Sequence, residues 1–277
     1  MPTTLTAPDT SVICPSNDGE GRSIIDIARR MSFDVRVSPQ GWGAKLSKEP
    51  PETFLGLREN VVIVEIPGVE KEAELGRTHR LYIIDHHRYD GLDRINPLSS
   101  LEQFARLTGY ELDRREAGVA LNDRGYIYAL KDAGYSEEEI RGIRRYDFEA
   151  QGYGIDDFKA LSEDYSKGYA HKGRCYVVET ESRKTSFLSD MHFYEFYDEE
   201  TGRTRLDLLV FVTAGGRLVK AGFSGAPRVA KAMYKMAGGY CGGDEKRSMY
   251  WGKEFANGEA SKEDLLKLAE DYRSCFI

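Results

Sequence analysis

The sequence has no apolar run approaching the roughly 18 residues that a membrane-crossing helix needs. It has no basic excess either: 39 Lys and Arg stand against 46 Asp and Glu, a net charge of −7. That balance argues against broad, nonspecific binding to nucleic-acid backbones, which needs basic surface, and leaves room only for a local basic groove. The four cysteines (Cys14, Cys175, Cys241, Cys275) are far apart and show no CxxC spacing. They read as reduced thiols, not as a disulfide framework or a zinc knuckle. Met1-Pro2-Thr3-Thr4 lacks the basic-then-apolar pattern of a leader. Internal repeats and low-complexity tracts are absent. The expectation is a cytoplasmic protein without a membrane segment.

What is present is enough for real cores: 277 residues, 40% of them hydrophobic, a size that suggests one large domain or two ordinary ones. Over residues 11–148 strand-like and helix-like segments alternate. Strands are expected at 11–14, 33–37, 61–66 and 81–85. Helices are expected from Ile24 to Met31, at 99–108, in part of 114–134, and from Ser136 to Arg145. The near-continuous apolar character of 61–66 and 81–85 indicates a parallel sheet covered on both faces. The first half, 1–150, therefore reads as an α/β doubly wound domain. The stretch 151–172, rich in Gly, Asp, Ser and Tyr, reads as a linker. Beyond it, 173–277 reads as a smaller α+β domain. Its strands fall near 175–179, 206–213, 217–223 and 249–255, with a helix from Pro227 to about Met236 and another capped by Ser261 and Asp264.

Histidine is scarce, five in all, yet two are adjacent. The apolar run Leu81-Tyr82-Ile83-Ile84 stops on Asp85-His86-His87. In open α/β sheets the carboxyl ends of the strands are where ligands bind. Side chains alternate along an extended chain, so His86 and His87 cannot face the same atom. One can hold a metal while the other faces a substrate. The bland alternative is a solvated loop with two surface histidines.

Four further segments fall in order around this triplet. Val12-Ile13 leads into Cys14-Pro15-Ser16-Asn17-Asp18-Gly19-Glu20-Gly21. The strand Val61 to Val64 ends on Glu65. Asn96-Pro97-Leu98-Ser99-Ser100 opens a helix, and Leu121-Asn122-Asp123-Arg124-Gly125 supplies a late acid. Together they resemble the DHH superfamily of phosphoesterases, whose members include nucleases, oligonucleotide and cyclic-dinucleotide phosphodiesterases and pyrophosphatases. The resemblance implies a divalent-metal site, Mn2+ or another ion, held by Asp18, Glu65, His86 and Asp123. It implies that His87 faces the substrate phosphate and that Asp85 orients its neighbours, the two forming the catalytic pair. With Asp18 matched to the second acid of the family's first motif, Ser16 occupies the place of the first. No His lies nearby, and Cys14 reads as an apolar strand residue. One metal site, not two, is the expectation.

The second half resembles the DHH-associated domain. That likeness implies a substrate-phosphate site on Gly238, Gly239, Gly242 and Gly243, with Lys246 and Arg247 supplying charge. A Gly-rich turn is the plainer reading. The implied activity is metal-dependent hydrolysis of a small nucleotide or short oligonucleotide. The alternative is a non-catalytic relative that binds a nucleotide or a partner. Neither the substrate nor the oligomeric state, a homodimer included, is legible.

Overall fold

The structure, a computed structural model, describes residues 4–89, 91–256 and 259–274. It divides into two compact units, Met1–Gly152 and Tyr153–Ile277. Cys275 lies outside the described residues, as do the first three residues of the N-terminal segment read for a leader. Among the described residues Cys14, Cys175 and Cys241 form no disulfide. Among the described residues no helix is long and apolar enough to cross a membrane.

The first unit is α/β. Its strands β1 (Thr10–Pro15), β2 (Asp34–Ser38), β3 (Asn60–Val64) and β4 (Arg80–Ile84) form a parallel sheet in the order β2-β1-β3-β4. Val61, Val62, Ile63 and Val64 are all at most 1% exposed, so β3 is covered on both faces, as its unbroken apolar run required. On one face Val61 and Ile63 pack with Ile13, Leu46 and Leu75. Helices α1 (Gly19–Arg30), α2 (Val69–Leu75), α3 (Ser100–Thr108), α4 (Arg114–Asp132) and α5 (Glu137–Ala150) complete the unit, with a short hairpin, β5 (Arg88–Tyr89) and β6 (Leu92–Asp93). The chain runs outward from β1 to β2, then returns to place β3 on the other side of β1. This reversal opens the crevice at the carboxyl ends of β1 and β3 where doubly wound sheets bind ligands.

Capping residues set the helix starts. Ser99 with Glu102, Asp113 with Glu116, and Ser136 with Glu139 each form a reciprocal capping box at α3, α4 and α5.

The second unit contains α6 (Ile155–Ser166), β7 (Tyr169–His171), β8 (Cys175–Thr180), α7 (Ser186–Phe196), the hairpin β9 (Tyr197–Asp198) and β10 (Arg203–Thr204), β11 (Asp207–Ala214), β12 (Arg217–Gly225), α8 (Pro227–Ala237), β13 (Tyr240–Asp244), β14 (Ser248–Glu254) and α9 (Lys262–Ser274). Six strands make one mixed sheet, β13-β14-β12-β11-β8-β7, parallel only at β8–β11. Phe211, Phe223 and Trp251 on one face pack with Val229 and Met233 of α8 and Leu265 of α9.

Two sequence expectations change here. The stretch 151–172 holds a twelve-residue helix, α6, with Leu161 and Tyr165 buried, so its polar composition marks an exposed helix face and not a linker. The glycine run is partly a strand. Gly242 in β13 lies opposite Tyr250, and a Cβ there would meet the Tyr250 hydroxyl at 2.6 Å. Glycine there lets the Tyr250 ring lie against the paired strand and does not mark a turn.

His192 of α7 is 2% exposed. Its Nε2–H donates to the Leu206 carbonyl at 2.9 Å. Burial pushes its pKa down to about 4, from 6.5. The unfolded chain therefore binds more protons than the folded one between these values. The stability that neutral His192 contributes is complete above pH 6.5 and lost as the pH falls to 4. His192→Gln keeps the donor and removes the titration. We expect the wild-type stability to fall more steeply than the variant's between pH 7 and 4, by about 3 kcal/mol at the lower end, in denaturant melts. Parallel profiles would contradict this reading.

Candidate metal centre

β1, β3 and β4 deliver acids and imidazoles to one sheet edge. β1 passes through Pro15 into α1, whose N-cap Asp18 accepts the Gly21 N–H at 2.8 Å. The turn is tight: a Cβ on Gly21 would lie 2.4 Å from the Pro15 carbonyl oxygen, so only glycine fits. This geometry carries Glu20, in the first turn of α1, into the interior, where it is 2% exposed. Its carboxylate accepts the backbone N–H groups of Ser100 (3.3 Å) and Leu101 (2.9 Å) at the start of α3. Helix N-termini favour such anions.

β3 ends on Glu65, which adopts φ 52°, a left-handed conformation costly for a residue with a Cβ. Its N–H donates to the Ile84 carbonyl at 3.1 Å and its Oε1 accepts from Ser100 Oγ at 2.8 Å. The strained turn is thus held from β4 and from α3 at once. β4 ends on Asp85-His86-His87. The His86 side chain is 10% exposed and the His87 side chain 44%, the alternation expected of an extended segment. Asp123 lies in α4, not in a turn, three residues before Tyr126 interrupts the helix with φ 57°, ψ −158°.

His86 Nε2 lies 2.8 Å from Asp123 Oδ2, 3.2 Å from Glu65 Oε1 and 3.8 Å from Glu20 Oε2. Despite these approaches, His86 Nε2 and Asp123 Oδ2 are both buried without a hydrogen-bond partner. They point toward a shared centre without the alignment of a hydrogen bond. One ligand atom from each of Glu20, Glu65, His86 and Asp123 falls within a 4.8 Å cluster. Ligands held about 2.1 Å from one ion stand about 3–4 Å apart, which matches these separations. One imidazole with three carboxylates suits manganese among the first-row divalent ions. The residues fit a metal.

The electrostatics agree. Burial, then the nearby carboxylates, raises Asp123 and Glu20 well above the usual carboxylate range. Burial acts on Glu65 too, but His86 and His87 outweigh it and hold it low. Both histidines are raised: burial opposes their charge, and the surrounding carboxylates prevail. Glu20 and Asp123 crowd Glu65 and the His86 imidazole, and a divalent cation would offset the negative charge gathered there.

Asp18, the acid expected from the sequence, is not among the converging atoms. One oxygen of its carboxylate, Oδ1, caps α1, and burial with the Glu65 charge lifts the group to about 7. Glu20 was missed. Its signal was the acid-x-acid spacing Asp18-Gly19-Glu20, two residues past the expected ligand. Cys14 turns inward: its thiol donates to the Pro15 and Gly21 carbonyls, and burial, then Glu65, raises it well above the usual thiol range. Ser16 is exposed.

His87 Nδ1 lies 3.1 Å from Asp85 Oδ1, which also accepts the His87 N–H at 3.0 Å. A carboxylate accepts, so the proton sits on Nδ1 and Nε2 is left for a ligand. Asp85 Oδ2 faces Arg94 Nη1 at 3.8 Å, and Arg94 also grips both Glu72 oxygens at 2.6 Å. Asp147 of α5 accepts from Gly19 N–H (2.9 Å) and Arg144 (2.7 Å), and Arg144 donates to Asn122 at 3.1 Å. This buried chain links the Asp18–Gly21 turn to the residue beside Asp123, and no sequence pattern announced it.

In the second unit, Gly238 caps the C-terminus of α8, where carbonyls point outward. Trp251 Nε1 and Lys253 Nζ donate to the carbonyls of Gly238 and Ala237. Gly242 and Gly243 pair within the β13–β14 ladder. A helix C-terminus repels anions. Lys246 and Arg247 lie at the other end of β13, in a cavity that none of these four glycines lines.

No family model matches the sequence, and no curated protein does. Among solved structures the chain is similar to PggH, a pGpG-specific phosphodiesterase from Vibrio cholerae. The identity is 10% and the TM-score 0.41, over 96% of this chain and 99% of that one.

The placement of Glu20 and Asp18 yields a direct contrast. Glu20→Gln should weaken Mn2+ binding at least about tenfold, the scale on which disturbed metal-site partners act. Asp18→Asn should leave the affinity close to wild type, since Asn also caps helices. Titration calorimetry with Mn2+ reads both. A larger loss in Asp18→Asn than in Glu20→Gln would restore Asp18 as the ligand.

Proposed function

We propose that the protein is a divergent phosphoesterase of the DHH type that uses one divalent metal, Mn2+ by its donor set, to hydrolyse a small nucleotide or short oligonucleotide. The observation that carries this reading is the convergence of His86 Nε2 and Asp123 Oδ2, buried and unsatisfied, with Glu65 and Glu20 at the carboxyl edge of a parallel sheet. Glu20, Glu65, His86 and Asp123 hold the ion, and Asp18 shapes the turn that delivers Glu20.

A bound divalent ion supplies charge neutralisation at the phosphoryl oxygens and a lowered pKa for water. The chain's own residues do the rest. His87, half-exposed and steered by Asp85 through Nδ1, presents Nε2 to the phosphate. Ser100 and the strained backbone at Glu65 keep that carboxylate fixed between His86 and His87. The two N–H donors at the start of α3 hold the Glu20 carboxylate in place for an ion. The acidic chain favours a small substrate over a long polyanion.

The inward Cys14 thiol and the exposed Ser16 leave the first motif short of ligands for a second ion. Turnover is therefore expected to be slow, and a binding role without catalysis is the competing reading. We expect His86→Ala to reduce Mn2+-stimulated hydrolysis of short oligonucleotides by at least about 100-fold, because it removes a ligand, while the variant stays folded. Hydrolysis that persists in His86→Ala, or that needs no metal, would contradict the assignment. A folded protein that binds Mn2+ stoichiometrically and hydrolyses no nucleotide would favour the binding role.

A further inference from the structure

Three large apolar side chains stand exposed on the segments that leave the carboxyl edge of the first unit's sheet. Trp42 lies in the loop after β2, and Val69 begins α2 after β3. Ile95 follows the β5–β6 hairpin, which the Arg94 N–H ties back to the His87 carbonyl at 3.1 Å. Single exposed apolar residues are ordinary on a protein surface. These three share one edge, the edge that gathers Glu20, Glu65, His86 and Asp123.

Trp42 is 71% exposed, yet its loop is firmly mounted. The Gln40 side-chain amide closes the loop: it donates to the Lys45 carbonyl at 3.0 Å and accepts the Lys45 N–H at 3.1 Å. The same amide donates to Glu49, a buried carboxylate that also accepts Ser38 Oγ at 2.5 Å. Ala44 and Leu46 sink into the core with Ile13 and Ile63. The loop crosses the sheet edge as it goes. Asn17 Nδ2, three residues before Glu20, donates to the Gly41 carbonyl at 3.3 Å. The Leu46 N–H donates to the carbonyl of Pro67, two residues past Glu65, at 3.1 Å. Trp42 thus sits between attachments to the two turns that deliver Glu20 and Glu65.

Gly41 and Gly43 have no side chains to cover the indole, and among the described residues no other ring or cation lies against it. An aromatic side chain held in water forgoes the burial that makes it stabilising. Its flat face offers a stacking partner to a nucleobase, since every base has a π-face. A phosphate alone has no use for such a surface, whereas small-molecule sites pair apolar contact area with a few placed polar groups.

We propose that Trp42 is a stacking platform for a base of the nucleotide whose phosphate the metal centre holds. This rests on the phosphoesterase reading above and deepens it: the base is a recognised part of the substrate, which is a nucleotide and not a phosphate ester of any kind.

The chain has two tryptophans, and Trp251, in the second unit, is 1% exposed, so emission quenched by a stacked base reports Trp42. The test titrates the Mn2+-loaded full chain with AMP and, in parallel, with ribose 5-phosphate, which keeps the phosphate and lacks the base. Fluorescence and calorimetry read both. We expect AMP to quench the emission and ribose 5-phosphate to bind without quenching. Trp42→Ala should weaken AMP at least about fivefold, the scale of one lost base–aromatic stack. It should leave Mn2+ and ribose 5-phosphate binding as in wild type, and Trp42→Tyr should recover most of the AMP affinity. A loss confined to the ligand that carries a base is one that a merely structural role of the indole would not produce. AMP bound without quenching, AMP affinity unchanged in Trp42→Ala, or a loss shared by both ligands would overturn the proposal and leave the metal-centre reading standing. If neither ligand binds, or if both bind His86→Ala as tightly as wild type, the phosphoesterase reading falls and the stacking role falls with it.

Discussion

Three carboxylates packed within 2.8 to 3.8 Å of a single imidazole, 10% exposed, are the constraint on which the first unit depends. Crowded like charges are costly, and burial with the neighbouring carboxylates raises the pKa of both Glu20 and Asp123. The surrounding architecture offsets part of that cost. The start of α3 places two N–H donors on Glu20, Ser100 donates to Glu65, and the Asp147–Arg144–Asn122 chain ties the α1 turn to the residue before Asp123. An interior arranged in this way is matched to a cation.

Strain gathers around the same point. Of the four described non-glycine residues with positive φ, Glu65 holds a converging carboxylate and Tyr126 follows Asp123 by three positions. Such conformations persist only where surrounding contacts over-determine them. Around Glu65 those contacts are the Ile84 carbonyl and the Ser100 hydroxyl. The strained turn thus aims the carboxylate at His86 instead of continuing β3 past the sheet edge.

Much of this was legible in the sequence because it rests on local rules. The unbroken apolar run at 61–64 marked a strand covered on both faces; the run at 81–84 marked a strand too, but β4 is the edge of the sheet and within that run only Ile84 is buried, so double coverage did not hold there. The polar residues that end both runs marked the carboxyl edge of the sheet. Ser99-Ser100 after Pro97 announced the start of α3. Glu20 was harder to read. Which acid of Asp18-Gly19-Glu20 reaches His86 depends on Asp18 being taken up by the α1 cap, a three-dimensional fact. The glycine run misled for a related reason. Glycine is usually a turn signal, but Gly242 lies under the Tyr250 ring in a paired strand. Helix α7 carries apolar and aromatic residues on several sides, Leu188 and Phe193 among them, and so lacks the one-sided pattern that identifies an amphipathic helix.

Anomalous diffraction from crystals grown with Mn2+ tests the central claim most directly. The account requires one strong peak among the side chains of Glu20, Glu65, His86 and Asp123, with Asp18 still bonded to the Gly21 N–H. Two comparable peaks, or a single ion on Asp18 with Glu20 turned away, would contradict it.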